Sequence, residues 1–235
     1  MDNPEADVIV AAELRLFLRP GRRHGPVRVA CDGVSSLGHV VESLGVPLTE
    51  VGSLTVNGAL AGPGYRPGAG DVVEVGAVRR PQPLPSARFI LDVHLGTLAR
   101  RLRLVGVDTA YANDAADDVL VEQANAGRRV LLTQDRGLLR RRKLWLGAYV
   151  RGGRPDEQFA DVLDRFAPPL APWTRCPACN GQLSPVRKAD VEPLLRPGTR
   201  RTYQAFSRCQ ACGRVYWRGA HSKRLEAIVE AAVRG

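Results

Sequence analysis

The sequence predicts an α/β protein built from three parts, and three observations support this. Strand-like and helix-like apolar patterns alternate through the middle of the chain. Two proline-rich stretches without apolar periodicity, RRPQPLPSA at 79–87 and APPLAPW at 167–173, are typical of connections between domains. Four of the five cysteines form two Cys-x-x-Cys pairs near the C-terminus. We therefore predict domains at 1–79, 88–170 and 171–235, with a linker at 80–87.

Composition limits the class of protein. The 235 residues are 44% hydrophobic, and 34 Lys and Arg against 24 Asp and Glu give a formal charge of +10. Such a chain attracts polyanions, nucleic acid first. No stretch approaches the roughly 20 apolar residues of a membrane span, and the N-terminus lacks the pattern of a signal peptide. We expect no membrane association and a cytoplasmic location, where paired cysteines favour metal over disulfides.

The first domain reads as strand, strand, helix, strand, strand. Leu14, Leu16 and Leu18 alternate with charged residues, which is the period of a half-buried strand. PGRRHG predicts a turn, and PVRVA predicts the partner strand. Gly45 ends a short helix. The apolar residues that share one face of this helix are Leu37, Val40, Val41 and Leu44. LTVNGAL predicts a strand with a turn, and DVVEV predicts the last strand, which completes the element order of a β-grasp fold.

The motifs VNG and GAGDVVEV make this domain resemble the ubiquitin-like sulfur carriers of the ThiS and MoaD type. Those carriers act through a free C-terminal Gly-Gly. Here the segment ends VGAVRRP and continues into another domain, so we do not expect sulfur transfer. The domain is left with an interaction or positioning role, in which it recruits the substrate, a protein partner or a second copy of the chain.

The second domain alternates strands with helices, as a parallel sheet requires. The predicted strands are FIL (89–91), DTAYA, VLLT (130–133) and GAYV (147–150). A helix ends at Gly106 and another at Gly127. The first helix has one apolar face, made by Leu95, Leu98, Ala99, Leu102 and Val105. A later covering helix has Phe159, Val162, Leu163 and Phe166.

Acidic residues follow three of these strands. Asp92 ends the first strand, Asp117 and Asp118 follow the second, and Asp135 follows the third. Ligands of parallel α/β sheets bind beyond the carboxyl ends of the strands, so we expect these carboxylates to converge. Carboxylates that lie close together repel one another, and this favours the binding of a hard divalent ion, Mg²⁺ or Mn²⁺. Such an ion activates water and stabilises the charge on a phosphate under attack. Each aspartate alone also fits a helix cap.

Basic residues surround the predicted acidic pocket along the sequence. Arg100 and Arg101 lie on the first helix, and Arg136 and Arg140 follow Asp135 within the basic run DRGLLRRRK. Because a phosphate backbone is held by such side chains, we predict that these four arginines bind RNA around a metal pocket. The alternative is an arginine cluster that is merely a solvated face.

The cysteine pairs CPACNG and CQACGR are separated by 29 residues between Cys179 and Cys209. Together with Cys176 and Cys212 they suit tetrahedral, structural Zn²⁺ in a closed site, and a redox pair or an iron–sulfur cluster is the alternative. Nearby aromatic and basic residues either clamp single-stranded RNA or form the small core of a zinc ribbon.

A longer series of motifs has a family resemblance. FILDVHLGTLARRLRLVGVDTAYA, DDVLVEQA, RVLLTQDRGLLRR and the double Cys-x-x-Cys module resemble the PIN-like RNase domain known from the C-terminus of the exonuclease Mut-seven, over about residues 88–221. A ubiquitin-like domain in front fits residues 1–80. The resemblance implies a metal-dependent ribonuclease in which Asp92, Asp117 or Asp118, and Asp135 are the acids. A fourth acid is unclear, with Asp156 or Glu157 as candidates.

The same resemblance assigns His221 to a substrate-binding element, in which Ala220 replaces a serine. His221 also fits a structural residue beside a helix start. The sequence thus predicts a metal-dependent ribonuclease with a β-grasp (ubiquitin-like) domain, a PIN-like parallel-sheet α/β domain and a zinc ribbon. The competing hypothesis is a non-catalytic RNA-binding or ribosome-associated adaptor in which the acids cap helices.

Overall fold

A computed structural model describes residues 4–218 and 223–234. The chain forms two compact units: Met1–Gln82 with Thr133–Tyr149, and Pro83–Leu132 with Val150–Gly235. It therefore passes from the second unit into the first at Thr133 and returns at Val150. None of the helices among the described residues combines the length and the apolar character that a membrane crossing requires.

The first unit is built around a five-stranded sheet. Its strands are β1 (Glu5–Val10), β2 (Val27–Ala30), β3 (Val51–Val56), β4 (Ala59–Leu60) and β5 (Val72–Ala77). The order is β2-β1-β5-β3-β4, with β1 and β5 parallel and the other pairs antiparallel. Helix α1 (Leu37–Ser43) contributes its predicted apolar face to the buried core. This is the predicted β-grasp (ubiquitin-like) topology.

The predicted strand at 14–18 is wrong. The first strand is β1, in which Ala6, Val8 and Val10 point into the core, and Ala12–Phe17 forms a 3₁₀ helix. Leu14 and Phe17 are buried there because residues three apart lie on the same side of a 3₁₀ turn. Leu18, directly after this helix, is also buried, and Leu16 is partly buried against the same core.

The second unit begins with alternating strands and helices, as predicted. They are β6 (Arg88–Leu91), α2 (Gly96–Leu104), β7 (Asp108–Tyr111), α3 (Asp117–Ala126) and β8 (Val130–Thr133). Strand β6 lies between β7 and β8 and is parallel to both. Leu91 pairs with Tyr111 and with Leu132, so the carboxyl ends of the three strands lie at one edge of the sheet.

The next segment of the chain, Thr133–Tyr149, belongs to the first unit. Helix α4 (Arg136–Leu139) and strand β9 (Gly147–Tyr149) belong to this segment. Tyr149 packs against the β-grasp core, with its ring centroid 5.0 Å from that of Phe17 in an edge-to-face arrangement. Its backbone N–H donates to Oε1 of the fully buried Glu50 at 2.8 Å. The strand that the sequence predicted at 147–150 is the fourth strand of the sheet that contains β6, β7 and β8.

Helix α5 (Pro155–Phe166) covers the sheet of the second unit. Its predicted residues Phe159, Val162 and Phe166 are buried. The stretch at 167–173 is structured, because Ala171 and Trp173 donate backbone hydrogen bonds to the C-terminal end of α2, at 2.9 and 3.0 Å. This proline-rich stretch is therefore a fixed connection within the second unit.

The cysteine region forms a small antiparallel sheet with short helices. Its elements, with the final helix, are β10 (Leu183–Val186), α6 (Lys188–Val191), α7 (Pro197–Thr202), β11 (Phe206–Cys209), β12 (Val215–Tyr216) and α8 (Lys223–Arg234). The strand order is β10-β11-β12. Val191, Leu195 and Phe206 form a separate small core. Helices α5 and α8 line a shared cleft.

Candidate functional site

The four paired cysteines meet at one point. Their sulfur atoms all lie within 4.8 Å of one another, with Cys176 and Cys212 at 3.8 Å and Cys179 and Cys209 at 3.5 Å. A tetrahedral site with Zn–S bonds of roughly 2.3 Å requires sulfurs about 3.8 Å apart. The quartet therefore fits a closed, structural Zn²⁺ site, as predicted.

The backbone at the first knuckle suits a close approach to sulfur. Asn180 has a φ of 69°, a conformation that asparagine tolerates better than most residues. A Cβ on Gly181 would lie 2.9 Å from the Cys209 sulfur, so only glycine fits there. In the second knuckle, Gly213 has a φ of 73° and the Cys212 N–H donates to the Cys209 sulfur at 3.5 Å. Both glycines therefore allow the knuckle backbone to lie close to the sulfur atoms.

The thiols are unequal before a metal binds. Burial raises the pKa of Cys176, but the Tyr216 hydroxyl 3.0 Å from its sulfur and nearby backbone N–H groups lower that pKa to about 7. Burial, with hydrogen bonding among the cysteines, raises the pKa of Cys179 to about 12. Four thiolates this close together repel one another and therefore need a neighbouring cation. A divalent metal ion supplies that positive charge.

The first knuckle is fastened to the parallel sheet by a buried arginine. Arg103, 3% exposed, donates through Nε to the Thr109 carbonyl at 2.8 Å. Its Nη1 donates to the carbonyls of Pro177 and Ala178 at 3.2 and 3.0 Å. Burial lowers the pKa of Arg103, whereas the neighbouring Cys179 and Cys176 raise it. The positive charge therefore sits beside the sulfur cluster and stabilises its negative charge.

Asn180 forms the second fastening. Its Oδ1 accepts from the backbone N–H of Thr109 at 3.0 Å, and its Nδ2 donates to Oδ1 of Asp108 at 2.8 Å. Asp108 also forms ion pairs with Arg129 at 2.7 Å and with Arg88 and Arg175 at 3.5 Å. Burial raises the pKa of Asp108, but the hydrogen bonds from Arg129 and Asn180 and the arginine charges outweigh it, so the pKa is lowered.

The first of the predicted acids, Asp92, lies at the carboxyl end of its strand. Asp92 follows β6 and is 7% exposed, and its backbone N–H donates to the Leu132 carbonyl at 3.0 Å. This bond continues the β6–β8 ladder by one residue. The Tyr111 hydroxyl, at the end of β7, donates to the Val93 carbonyl at 2.7 Å. The backbone around Asp92 is therefore fixed at the carboxyl edge of the sheet.

The other acids begin helices. Asp117 and Asp118 are exposed in the first turn of α3, where a helix dipole favours negative charge. Asp135, which belongs to the first unit, is exposed and caps α4 by accepting from the Gly137 N–H at 2.6 Å. In the second unit, Asp92, Asp117 and Asp118 are not gathered into a set of three metal ligands. Among the described residues, the cysteine quartet alone forms such a set.

The predicted RNA-binding arginines differ in their surroundings. Arg100 is exposed on α2. Arg101 is 8% exposed and pairs with Oδ1 of Asp156 at 2.5 Å. In the first unit, Arg136 donates to the carbonyls of Leu16 and Phe17, and Arg140 is exposed. Arg100 and Arg140 are thus the more accessible of the four.

The remaining candidates are partly explained. Glu157 pairs with Arg154 in a capping box at the start of α5, and Asp156 is the partner of Arg101. Tyr203 and Val215 pack on the small ribbon core. The rings of Tyr203 and Phe206 lie 6.4 and 6.2 Å from that of Trp217. Phe206 is therefore part of the ribbon core and Tyr203 packs on it, whereas Trp217 is 40% exposed. His221 lies outside the described residues.

Sequence reasoning missed the structural roles of Arg103, Asp108 and Asn180 in joining the knuckle to the sheet. The Asn-Gly pair after the second cysteine was a usable signal, because asparagine is enriched at left-handed positions. Asp108 and Arg103 carried no local signal, because their partners lie more than 70 residues away in the knuckle.

Comparison with known families gives two matches. Residues 87–229 match the family described as Mut7-C RNAse domain, and residues 3–83 match the family described as Mut7-C ubiquitin. Comparisons with curated proteins and with solved structures gave no significant match.

Proposed function

Because the chain belongs to the Mut7-C RNAse domain family, we propose that it is a metal-dependent ribonuclease that hydrolyses RNA phosphodiester bonds. The acids would be Asp92, Asp117 or Asp118, and Asp135, with Mg²⁺ or Mn²⁺ as the catalytic ion. Structural Zn²⁺ would be held by the four cysteines. A reducing cytoplasm is the compartment in which those cysteines keep a metal.

One observation carries the proposal: the carboxyl ends of β6, β7 and β8 share one edge of a parallel sheet. Asp92 directly follows β6, and Asp135 comes two residues after β8 in the chain. Asp117 and Asp118 begin the helix that follows β7. Ligands of such sheets bind beyond this edge. Mg²⁺ keeps several waters and needs only one or two carboxylates, so a compact set of three is not required.

The roles of the chain's own residues follow from their surroundings. Asp92, which is 7% exposed and whose backbone is held by the hydrogen bond to Leu132, would orient the ion. A divalent ion held there would activate water and neutralise charge on the phosphate. The exposed Arg100, Arg140 and the ribbon's basic side chains would hold the RNA backbone.

The test is cleavage of labelled structured and unstructured RNA by pure protein with added Mn²⁺. Wild type should cut, and Asp92→Asn and Asp135→Asn should each lose most activity, because an amide cannot replace a metal-bound carboxylate. Asp117→Asn and Asp118→Asn assign the second acid. Glu122→Gln is the matched control, since Glu122 is an exposed acid one turn further along α3. Equal cleavage by wild type and both strand-end variants would refute the proposal.

A non-catalytic RNA-binding adaptor is the second candidate. The cap from Asp135 to the Gly137 N–H favours it, because capping alone explains an aspartate there. The adaptor predicts that Mg²⁺ does not alter the melting temperature of wild type or of Asp92→Asn. A metal-dependent rise in wild type that Asp92→Asn loses would favour the ribonuclease instead.

A further inference from the structure

We propose that the first compact unit has its own RNA-binding surface, made jointly by the ubiquitin-like domain and the segment that follows β8. We call it the basic surface. Its exposed cationic residues are Arg19, Arg22, Arg23, Arg140, Arg141, Arg142 and Lys143. The inference takes from the proposed function only the identity of the polyanion, and it assigns to the ubiquitin-like domain a direct contact with RNA.

Arg136 joins the two parts of the basic surface. Its Nη1 and Nη2 donate to the carbonyls of Phe17 and Leu16, at 2.8 and 3.1 Å. Its guanidinium also lies 5.1 Å above the Phe17 ring centroid. The Leu16 carbonyl accepts a second hydrogen bond, from Nη2 of Arg23 at 3.5 Å. Arg23 and Arg136 therefore share an acceptor, which brings the PGRRHG turn next to the segment at 136–143.

The segment is fixed at further points. Arg140 donates to the Glu42 carbonyl at the end of α1, at 2.8 Å. The Tyr149 N–H bonds the buried Glu50 carboxylate. Because both ends are anchored in the ubiquitin-like domain, the exposed cations between them keep a defined position. Less conformational entropy is then lost when they bind.

Charge favours a polyanion as the ligand. The nearby acids on the same elements, Glu13, Glu42 and Asp135, are fewer than the seven cations of the basic surface. Arginine forks match phosphate oxygens, and a run of cations releases counterions from a nucleic-acid backbone. Trp145, 42% exposed, follows the run and offers a ring on which a base can stack. RNA uses both features, whereas an acidic protein uses only the charge.

The experiment measures binding of a fluorescein-labelled oligouridylate to the full chain by anisotropy over a range of salt. No Mg²⁺ or Mn²⁺ is added, so the result does not depend on cleavage. The double variant Arg19→Ala/Arg22→Ala should reduce the slope of log affinity against log salt by roughly 1.4, since each phosphate contact on a single strand contributes about 0.7. Arg142→Ala should reduce it by roughly 0.7.

The matched control is Arg28→Ala/Arg66→Ala, which removes two exposed arginines elsewhere in the same unit. Arg28 pairs with Glu5 and Asp7, and Arg66 lies near the opposite end of α1 from Glu42. Its slope should match that of wild type. Equal slopes for the two double variants would overturn the inference. So would displacement of the RNA by poly-glutamate at equal charge concentration, because the surface would then suit acidic proteins. An inactive wild type that still shows the slope difference refutes only the ribonuclease.

Discussion

Asn180 in the first cysteine knuckle donates a 2.8 Å hydrogen bond to Asp108, the first residue of β7. The same side chain accepts from the Thr109 N–H, and Thr109 is fully buried. The knuckle is therefore part of the hydrogen-bonding scheme of the parallel sheet. Order at the cysteine cluster should consequently affect the stability of the α/β core.

Replacing Asn180 tests this coupling. Asn180→Gly keeps the left-handed backbone but removes both hydrogen bonds and leaves the buried Thr109 N–H unsatisfied. We expect a loss of about 1–3 kcal/mol in the free energy of unfolding. Asn180→Ala should cost roughly 1 kcal/mol more, because a Cβ disfavours a positive φ. Urea unfolding in excess Zn²⁺ measures both values. A glycine variant as stable as wild type would show that the knuckle and the sheet are uncoupled.

The lowered pKa of Asp108 makes part of this stability dependent on pH. Between the folded and the unfolded pKa the unfolded state binds more protons, so stability rises with pH in that range. The contribution is complete above about pH 5 and is lost as the pH falls below roughly 4. Asp108→Asn lacks it at every pH. The difference in unfolding free energy between wild type and Asp108→Asn, measured in urea with excess Zn²⁺, should therefore be constant at neutral pH and shrink in acid. A difference that does not change with pH contradicts the assignment.

Zinc should stabilise more than the ribbon. Wild type is expected to bind one Zn²⁺ per chain, and Cys179→Ser should lose it because four sulfurs complete the site. Cys31→Ser is the matched control, since Cys31 lies outside the quartet. Elemental analysis gives the stoichiometry. Loss of zinc should also reduce hydrogen-exchange protection of the Thr109 amide, whose acceptor is Asn180. Full protection in zinc-free Cys179→Ser would limit the role of the metal to the ribbon.

The elements that could be predicted are those with a long, regular apolar period. The buried face of α2 follows directly from residues such as Leu98, Ala99 and Leu102. The strand predicted at 14–18 was wrong because three alternating leucines are compatible with both a strand and a 3₁₀ turn. Only their packing in the folded core distinguishes the two structures. The Asn-Gly turn between β3 and β4 was predictable because asparagine and glycine accept positive φ.

Long-range partners could not be predicted. Arg136 contacts Phe17 across 119 residues of sequence, and no local pattern reveals that the segment after β8 folds with the ubiquitin-like domain. The positions of Asp92 and Asp135 at strand ends were predictable because topology alone determines them. The burial and the partners of each arginine were not predictable, because a sequence shows a charge but does not show its partner.

The adjacent residues Arg100 and Arg101 test whether the partner of an arginine, rather than its charge alone, determines its role. Arg100 is exposed, so Arg100→Ala should reduce the salt slope of RNA binding by roughly 0.7 and leave the melting temperature unchanged. Arg101 is buried against Asp156, so Arg101→Ala should lower the free energy of unfolding by about 1–3 kcal/mol through lost packing. Its salt slope should equal that of wild type. If Arg101→Ala is as stable as wild type and its slope falls as in Arg100→Ala, then Arg101 leaves Asp156 to bind phosphate, as the sequence alone predicts.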